Sequence, residues 1–447
     1  MGKVRTLIGT TLTLVIMGTA GAVLAEETPA RQAVTVEERI QELDRKLQLL
    51  EERRGAEQAQ KNSAGEAIVG AGKDGFYLKS SNGNYQLKLR GYVQADGRFF
   101  ANSKDAGTDQ FLVRRVRPII EGTIAGNFDF RIMPDFGNGK TELQDAYLDI
   151  RFLPELKLRG GKFKAPVGLE RLQSGTDILF VERGLPTNLV PNRDVGFQLH
   201  GEAFQGGLSY AFGVFNGVAD GASADGDGGN DKEFAGRIFF RPFKTAAVPA
   251  LSGLGLGIGG SYGDTSGTLP SFKTPAQEKF FSYRSTTSAG GNHYRVAPQG
   301  YYYWNALGIL GEYVLSSQDA ANGSRVTTLK NDAWQGVLSY VLTGEKASYK
   351  GVVPRNAFDL QKGTFGAFQV AVRYGRLNID RDAFPVFADP AKSARSASSA
   401  GGGVNWYLNN NVKVAFDYEQ TDFHGGAATG KDREDEKIFL SRFQIAF

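Results

Sequence analysis

The sequence predicts an all-β chain, a transmembrane antiparallel β-barrel preceded by a short N-terminal α-helical coiled coil, and three observations carry that expectation. Segments of about ten residues in which apolar and polar side chains alternate recur through most of the chain, the pattern of strands with one face to hydrocarbon and one to water. The last of them, Glu436 to Phe447, sets Phe439, Phe443, Ile445 and Phe447 on one face and Leu440, Arg442, Gln444 and Ala446 on the other. Beyond the N-terminal region no stretch has the long unbroken apolar run that a spanning helix needs.

The elements follow in order. Met1 to Arg5 is basic, Leu7 to Ala22 is apolar, and Val23-Leu24-Ala25 resembles a small-residue cleavage site, so residues 1–25 read as a secretory signal peptide cut after Ala25. Val36, Ile40, Leu43, Leu47 and Leu50 then recur at alternating spacings of four and three among charged residues. That is a heptad seam, and it assigns 26–54 to a periplasmic coiled-coil oligomerisation segment. Its few heptads are marginal alone and need other contacts between subunits. Residues 55–73 are small and polar without a period and read as a linker.

Residues 74–447 carry the barrel pattern. Tyr85, Leu87, Leu89 and Val93 alternate with Gln86, Lys88, Arg90, Gln94 and Asp96. Phe128, Phe130 and Ile132 alternate with Asp129 and Arg131, and Ala146, Leu148, Ile150 and Phe152 with Asp145, Tyr147, Asp149 and Arg151. Similar rows follow around Val195, Phe234, Phe368 and Val412. A soluble sandwich alternates too, but so many strands in one run fit closure better. The polar stretches Ala219 to Lys232, Thr265 to Gly300, Gln318 to Asn331, Asp380 to Ser399 and Gly425 to Asp435 are the expected external loops. Pro166 to Asp194 lacks sustained alternation yet carries Glu170, Arg171, Glu182, Arg183 and Arg193, which favours a loop folded inward as a constriction over a large exposed loop.

Composition agrees. The 58 glycines and 11% aromatic residues suit many strands with tight turns, and the mean hydropathy of −0.30 fits a polar lumen and polar loops. Without cysteine the chain has no disulfide staple. The three histidines stand singly, and no set of metal-ligand spacing, catalytic residue or cofactor site is expected. Gly255 to Gly260 and Gly259 to Gly263 match dinucleotide and nucleophile-elbow patterns, but no helix signal follows either, as both motifs require. A net charge of only +4 gives no reason to expect a nucleic-acid partner.

Arginine is the informative residue. In a regular strand Leu112 to Glu121 places Arg115, Arg117 and Glu121 on one face, with Arg114 on the other or just outside. With Lys88, Arg90, Arg131, Arg151 and Arg159 nearby, many cations gather in the front third of the barrel. Guanidinium groups keep their charge and fork onto oxyanions, so such a row lowers the barrier to anions. The alternative is that these cations pair with Asp96, Glu121, Asp129, Asp145 and Asp149 and brace the wall.

Phe111 to Arg115, Gly161 to Glu170, Phe180 to Arg183, Val195 to Gly201, Tyr340 to Glu345 and Gly403 to Asn409, together with the signal and the heptads, resemble the phosphate-selective porin O and P family across essentially the whole chain. The resemblance implies about 16 strands, a homotrimer in the outer-membrane lipid, and a narrow pore for small inorganic anions, phosphate or polyphosphate among them. It also implies that Arg114, Arg115 and Arg171 help to form the central anion site. Arg171 stands where phosphate-specific members have lysine, and Gln144 where they have an acidic residue, which bears on the choice among anions. The expected pore lining is Arg114, Arg115, Arg117, Arg171, Arg131, Arg151, Arg90 and Lys88. A structural envelope protein, tethering the outer membrane through its coiled coil, is the alternative function.

Overall fold

The computed structural model describes residues 36–63, 67–72, 75–101, 107–227, 229–246, 248–428 and 430–447. The expected signal peptide lies outside them. The chain divides into two units, Met1–Ser63 and Ala64–Phe447.

In the first unit, helix α1 (Val36–Ser63) begins with Glu37 and Glu38 at its positive end, and Lys46 pairs with Glu42 one turn back at 2.7 Å. Its seam residues Ile40, Leu43, Leu47 and Leu50 are all exposed. The helix runs past Arg54, because Ala56, Gln58, Ala59, Gln60 and Lys61 are good helix formers even without a seam. In the second unit, residues 67–72 of the expected linker are not irregular either. They form β1 (Ala67–Gly72), which pairs with β2 (Gly75–Ser80).

The second unit is a closed barrel. Its strands are β3 (Gln86–Phe100), β4 (Gln110–Ile124), β5 (Phe128–Asp135), β6 (Glu142–Leu153), β7 (Leu156–Phe163), β8 (Asp194–Ala203), β9 (Leu208–Phe215), β10 (Glu233–Phe240) and β11 (Leu254–Thr268). A separate hairpin, β12 (Ser271–Lys273) and β13 (Lys279–Ser282), follows. The wall resumes with β14 (Thr287–Trp304), β15 (Leu307–Asn322), β16 (Arg325–Val341), β17 (Ala367–Asn378), β18 (Ala394–Tyr407), β19 (Val412–Gly425) and β20 (Glu436–Ala446). Each wall strand pairs antiparallel with the next, and β20 returns to β3 with Gln444 opposite Gln94, so sixteen strands close the ring. Closure satisfies every edge, which hydrocarbon demands.

The wall is apolar outside and polar inside. On β20, Phe439 and Phe443 are 54% and 62% exposed while Leu440 and Arg442 are each 2% exposed, the alternation read from the sequence. Two expected loops are mostly strand. Within Thr265 to Gly300 the wall strands β11 and β14 run far past the apolar band, and Gln318 to Asn331 is a tight hairpin turning at Asn322 to Arg325. Ladder hydrogen bonds hold a strand whatever its outward side chains, so polarity there marks where the lipid ends and not where the strand ends. The dinucleotide and elbow patterns both sit inside β11, with no helix after them.

Residues 164–193 fold into the barrel, as the sequence suggests, and wall residues from several strands hold them. Gln94 on β3 donates to the Gly175 carbonyl at 2.9 Å, Asn405 on β18 to the Leu179 carbonyl at 2.7 Å, and Lys413 on β19 to the Thr176 and Ile178 carbonyls at 3.1 Å each. A single helical turn, α2 (Leu169–Leu172), rests on Glu312 of β15, which accepts from the Leu169 N–H at 2.8 Å. From the end with the shorter turns, the 342–366 connection reaches inward at Tyr349, whose carbonyl accepts from Gln173 at 2.7 Å. The buried apolar cluster therefore lies between wall and in-folded loops: Val167, Leu185 and Leu189 pack with Phe272, Phe281 and Phe387.

Candidate permeation site

On the inner face of the early strands, β4 departs from regular alternation. Opposite Gln94 and Ala95 the register of β4 slips by one residue, so that Arg115 faces Gln94, Val113 faces Ala95, and Arg114 is left over. This bulge turns both Arg114 and Arg115 inward, where regular alternation separates them. A second bulge, at Gln144 on β6, buries Gln144 beside Asp145.

Most of these wall arginines already hold a carboxylate. Arg114 donates to Glu182 of the in-folded loop, Arg115 lies 3.4 Å from the same carboxylate and bonds Gln94 at 2.6 Å, and Arg98 and Arg442 reach it at 3.3 and 3.5 Å. Arg442 also forks onto Asp96 with two bonds of 2.7 Å. Arg117 pairs with Asp135 at 2.7 Å and donates to the Tyr92 hydroxyl at 2.8 Å. Arg131 lies between Glu121 at 3.1 Å and Asp145 at 3.3 Å. The bracing role of these residues is thus real, without exhausting their charge, since four guanidinium groups share Glu182.

Three cations of the in-folded loop differ. Lys164 donates to the Leu172 and Gln173 carbonyls at 3.2 and 2.8 Å, Arg183 to the Glu170 and Gln173 carbonyls at 3.0 and 2.7 Å, and Arg171 to the Thr187 carbonyl. Among the described residues none of the three has a carboxylate within ion-pair distance. Carbonyls orient a cation without cancelling its charge.

Among the described residues, two large cavities lie in the lumen. One, of about 420 Å³, lies toward the long loops and is lined by Arg114, Arg115, Arg171, Arg183 and Lys273. The other, of about 640 Å³, is lined by Arg131, Arg159, Lys164 and Arg237. Arg117 and Arg193 line both and so stand where the two cavities adjoin. The smaller cavity has eight cations against four carboxylates and the larger seven against two, so both have a positive lining. On the β12–β13 hairpin, burial and then the charges of Lys279 and Arg114 hold the Lys273 ammonium below its ordinary range, as expected at a mouth of positive potential.

Of the eight cations expected to line the pore, Arg114, Arg115, Arg117, Arg131 and Arg171 border these cavities. Lys88, Arg90 and Arg151 do not. They lie near the short-turn end, where Arg90 pairs with Glu121 at 3.0 Å and Arg151 with Asp129 at 3.0 Å. Lys164, Arg183 and Arg193 were not among the expected site residues, although Arg183 and Arg193 lie in the stretch read as a constriction; Lys164, two residues before it, carried no such signal. His200 bonds Asp149 at 3.2 Å and His293 bonds Ser316 at 3.0 Å.

Comparison with known proteins accords with this arrangement. Residues 87–447 match the family described as phosphate-selective porin O and P. Porin O of Pseudomonas aeruginosa is 25% identical over 420 residues, which cover 86% of this chain and 93% of that protein. Among solved structures, the outer-membrane channel DcaP of Acinetobacter baumannii superposes with a TM-score of 0.53 at 12% identity, covering 83% of this chain and 99% of that one. A loop L8 deletion mutant of OmpT from Vibrio cholerae gives 0.51 at 11% identity, covering 81% and 100%. With sixteen strands closed around a positive, loop-constricted lumen and a family match across the barrel, the chain belongs to the phosphate-selective porin O and P family of outer-membrane channels.

Proposed function

We propose that this porin passes small inorganic anions, phosphate or polyphosphate among them, and that the selecting charge is concentrated on the in-folded loop more than on the wall. The observation that carries this is the set of Lys164, Arg171 and Arg183, tethered by carbonyls alone, with Lys164 lining the larger cavity and Arg171 and Arg183 the smaller. A cation in a narrow passage lowers the barrier to an anion. A string of weak sites lets the anion leave again. Arg114, Arg115 and Arg117 supply further positive potential while anchoring the loop. The domain plan goes with this reading: a signal peptide removed after Ala25, a periplasmic helix whose exposed seam meets copies of itself, and a homotrimer of barrels.

The test is the reversal potential across a salt gradient in planar bilayers, with chloride, phosphate and pyrophosphate compared. Arg171→Glu and Arg183→Glu each reverse a charge close to the ion path. At an effective dielectric of about 20 and a few ångströms this is worth several kcal/mol, ample for a roughly tenfold fall in anion preference. Lys431→Glu, on an exposed loop, should leave selectivity unchanged because salt screens it within about 8 Å. If both loop variants keep the parent's selectivity, these cations do not select.

A further inference from the structure

The two cavities differ in chemistry as well as in size. Around the outer one, cations are joined by amides, glycines and carboxylates. The inner one adds flat and apolar surface to its cations, from Tyr92, Met133, Tyr147, Phe163 and Pro166. Arg159 lies over the Tyr147 ring at 3.8 Å, and the Phe163 ring meets Tyr147 edge-on at 6.1 Å. Asp149 takes the charge of Arg159 through two bonds of 2.8 and 2.7 Å. What remains is a plate, the Arg159 guanidinium laid over the Tyr147 ring with buried Phe163 set edge-on against it, its charge cancelled by Asp149, beside Lys164, which has no carboxylate at ion-pair distance among the described residues.

A bare oxyanion gains nothing from such a plate, because flat apolar faces replace water that would otherwise hydrate it. An anion with a planar apolar body gains twice, from Lys164 at its charged end and from the stack along its body. The cavity's 640 Å³ is within the roughly 300 to 1,000 Å³ typical of small-molecule pockets. We infer that the inner cavity is a subsite for small organic anions with an aromatic body, such as aryl carboxylates and aryl phosphonates, which it favours over inorganic anions of the same charge. This rests on the anion-pore reading above.

The experiment uses the purified full-length protein in planar bilayers, with chloride carrying the current. The reversal potential is measured first, since loss of anion preference at that stage overturns the anion-pore reading itself and with it this subsite. Phenylphosphonate and methylphosphonate, which share one head group, are then titrated as blockers. One ring contact of ordinary strength corresponds to a roughly two- to tenfold tighter block by the phenyl compound. Tyr147→Leu keeps bulk and removes the ring, and should erase that ratio. Lys164→Met should weaken block by both compounds and leave the ratio standing. Equal block by the two phosphonates in the parent overturns the inference, as does a phenyl advantage that survives Tyr147→Leu. Should that variant not fold, a Lys164→Met protein in which neither block changes does the same.

Discussion

At Glu182 four guanidinium groups meet one carboxylate, and a loop residue is thereby fixed to strands β3, β4 and β20 at once. Removing one partner of a buried charge cluster costs more than the pair contributes, because the others lose their compensation. Glu182→Gln should therefore destabilise the barrel by on the order of 3 kcal/mol. It should also raise anion preference, since it deletes a negative charge beside the path. The temperature at which unheated samples lose the folded band on a gel, and the reversal potential, report these two effects; no change in either would show that Glu182 anchors nothing. This cluster was half legible in the sequence. Glu182 and the arginine pair were both visible, but their meeting depends on a bulge at Arg114 that no alternation pattern encodes, and on a loop whose landing place is a tertiary matter.

Helix α1 is the element that the barrel leaves unexplained. Its seam was readable from spacing alone, and Leu43 and Leu47 are 66% and 58% exposed, a loss for any leucine that stays in water. Its end at Ser63 was not readable, because the seam stops while helix propensity continues. If the seam packs against copies of itself, Leu43→Asp with Leu47→Asp removes two core contacts per helix, about 1.5 to 3 kcal/mol each. The oligomer should then dissociate to folded monomers at a lower temperature in semi-native electrophoresis, while the barrel's strand content by circular dichroism stays as it was. An oligomer equally stable in the double variant would assign the seam to another envelope component, which is the tether reading.

For the whole molecule, the decisive step is closure, which the sequence signalled through its many alternating strands in one run and in which the last residue takes part. Phe447 continues the pairing of β20 with β3: its N–H donates to the Gly91 carbonyl at 2.9 Å, and its carbonyl accepts from the Gly91 N–H at 2.8 Å. Its ring meets Phe76 of β2 edge-on at 6.4 Å, so the final residue also ties the β1–β2 hairpin to the seam of the barrel. The strand number followed from family likeness alone and the inward rows from alternation, whereas the long polar strands above the membrane band followed from neither, since they carry no apolar face to betray them. Deleting Phe447 removes two ladder hydrogen bonds and one aromatic contact at the place where the first and last strands must find each other, on the order of 3 kcal/mol together. Because that place joins chain segments far apart in sequence, the loss should fall on assembly more than on the finished pore. The folded, heat-modifiable band from membranes should drop several-fold, more than it drops when Val36 to Arg54 is deleted. The molecules that do fold should keep the parent's reversal potential. A normal folded yield without Phe447 would mean that the ladder from Tyr92 to Phe100 closes the barrel unaided.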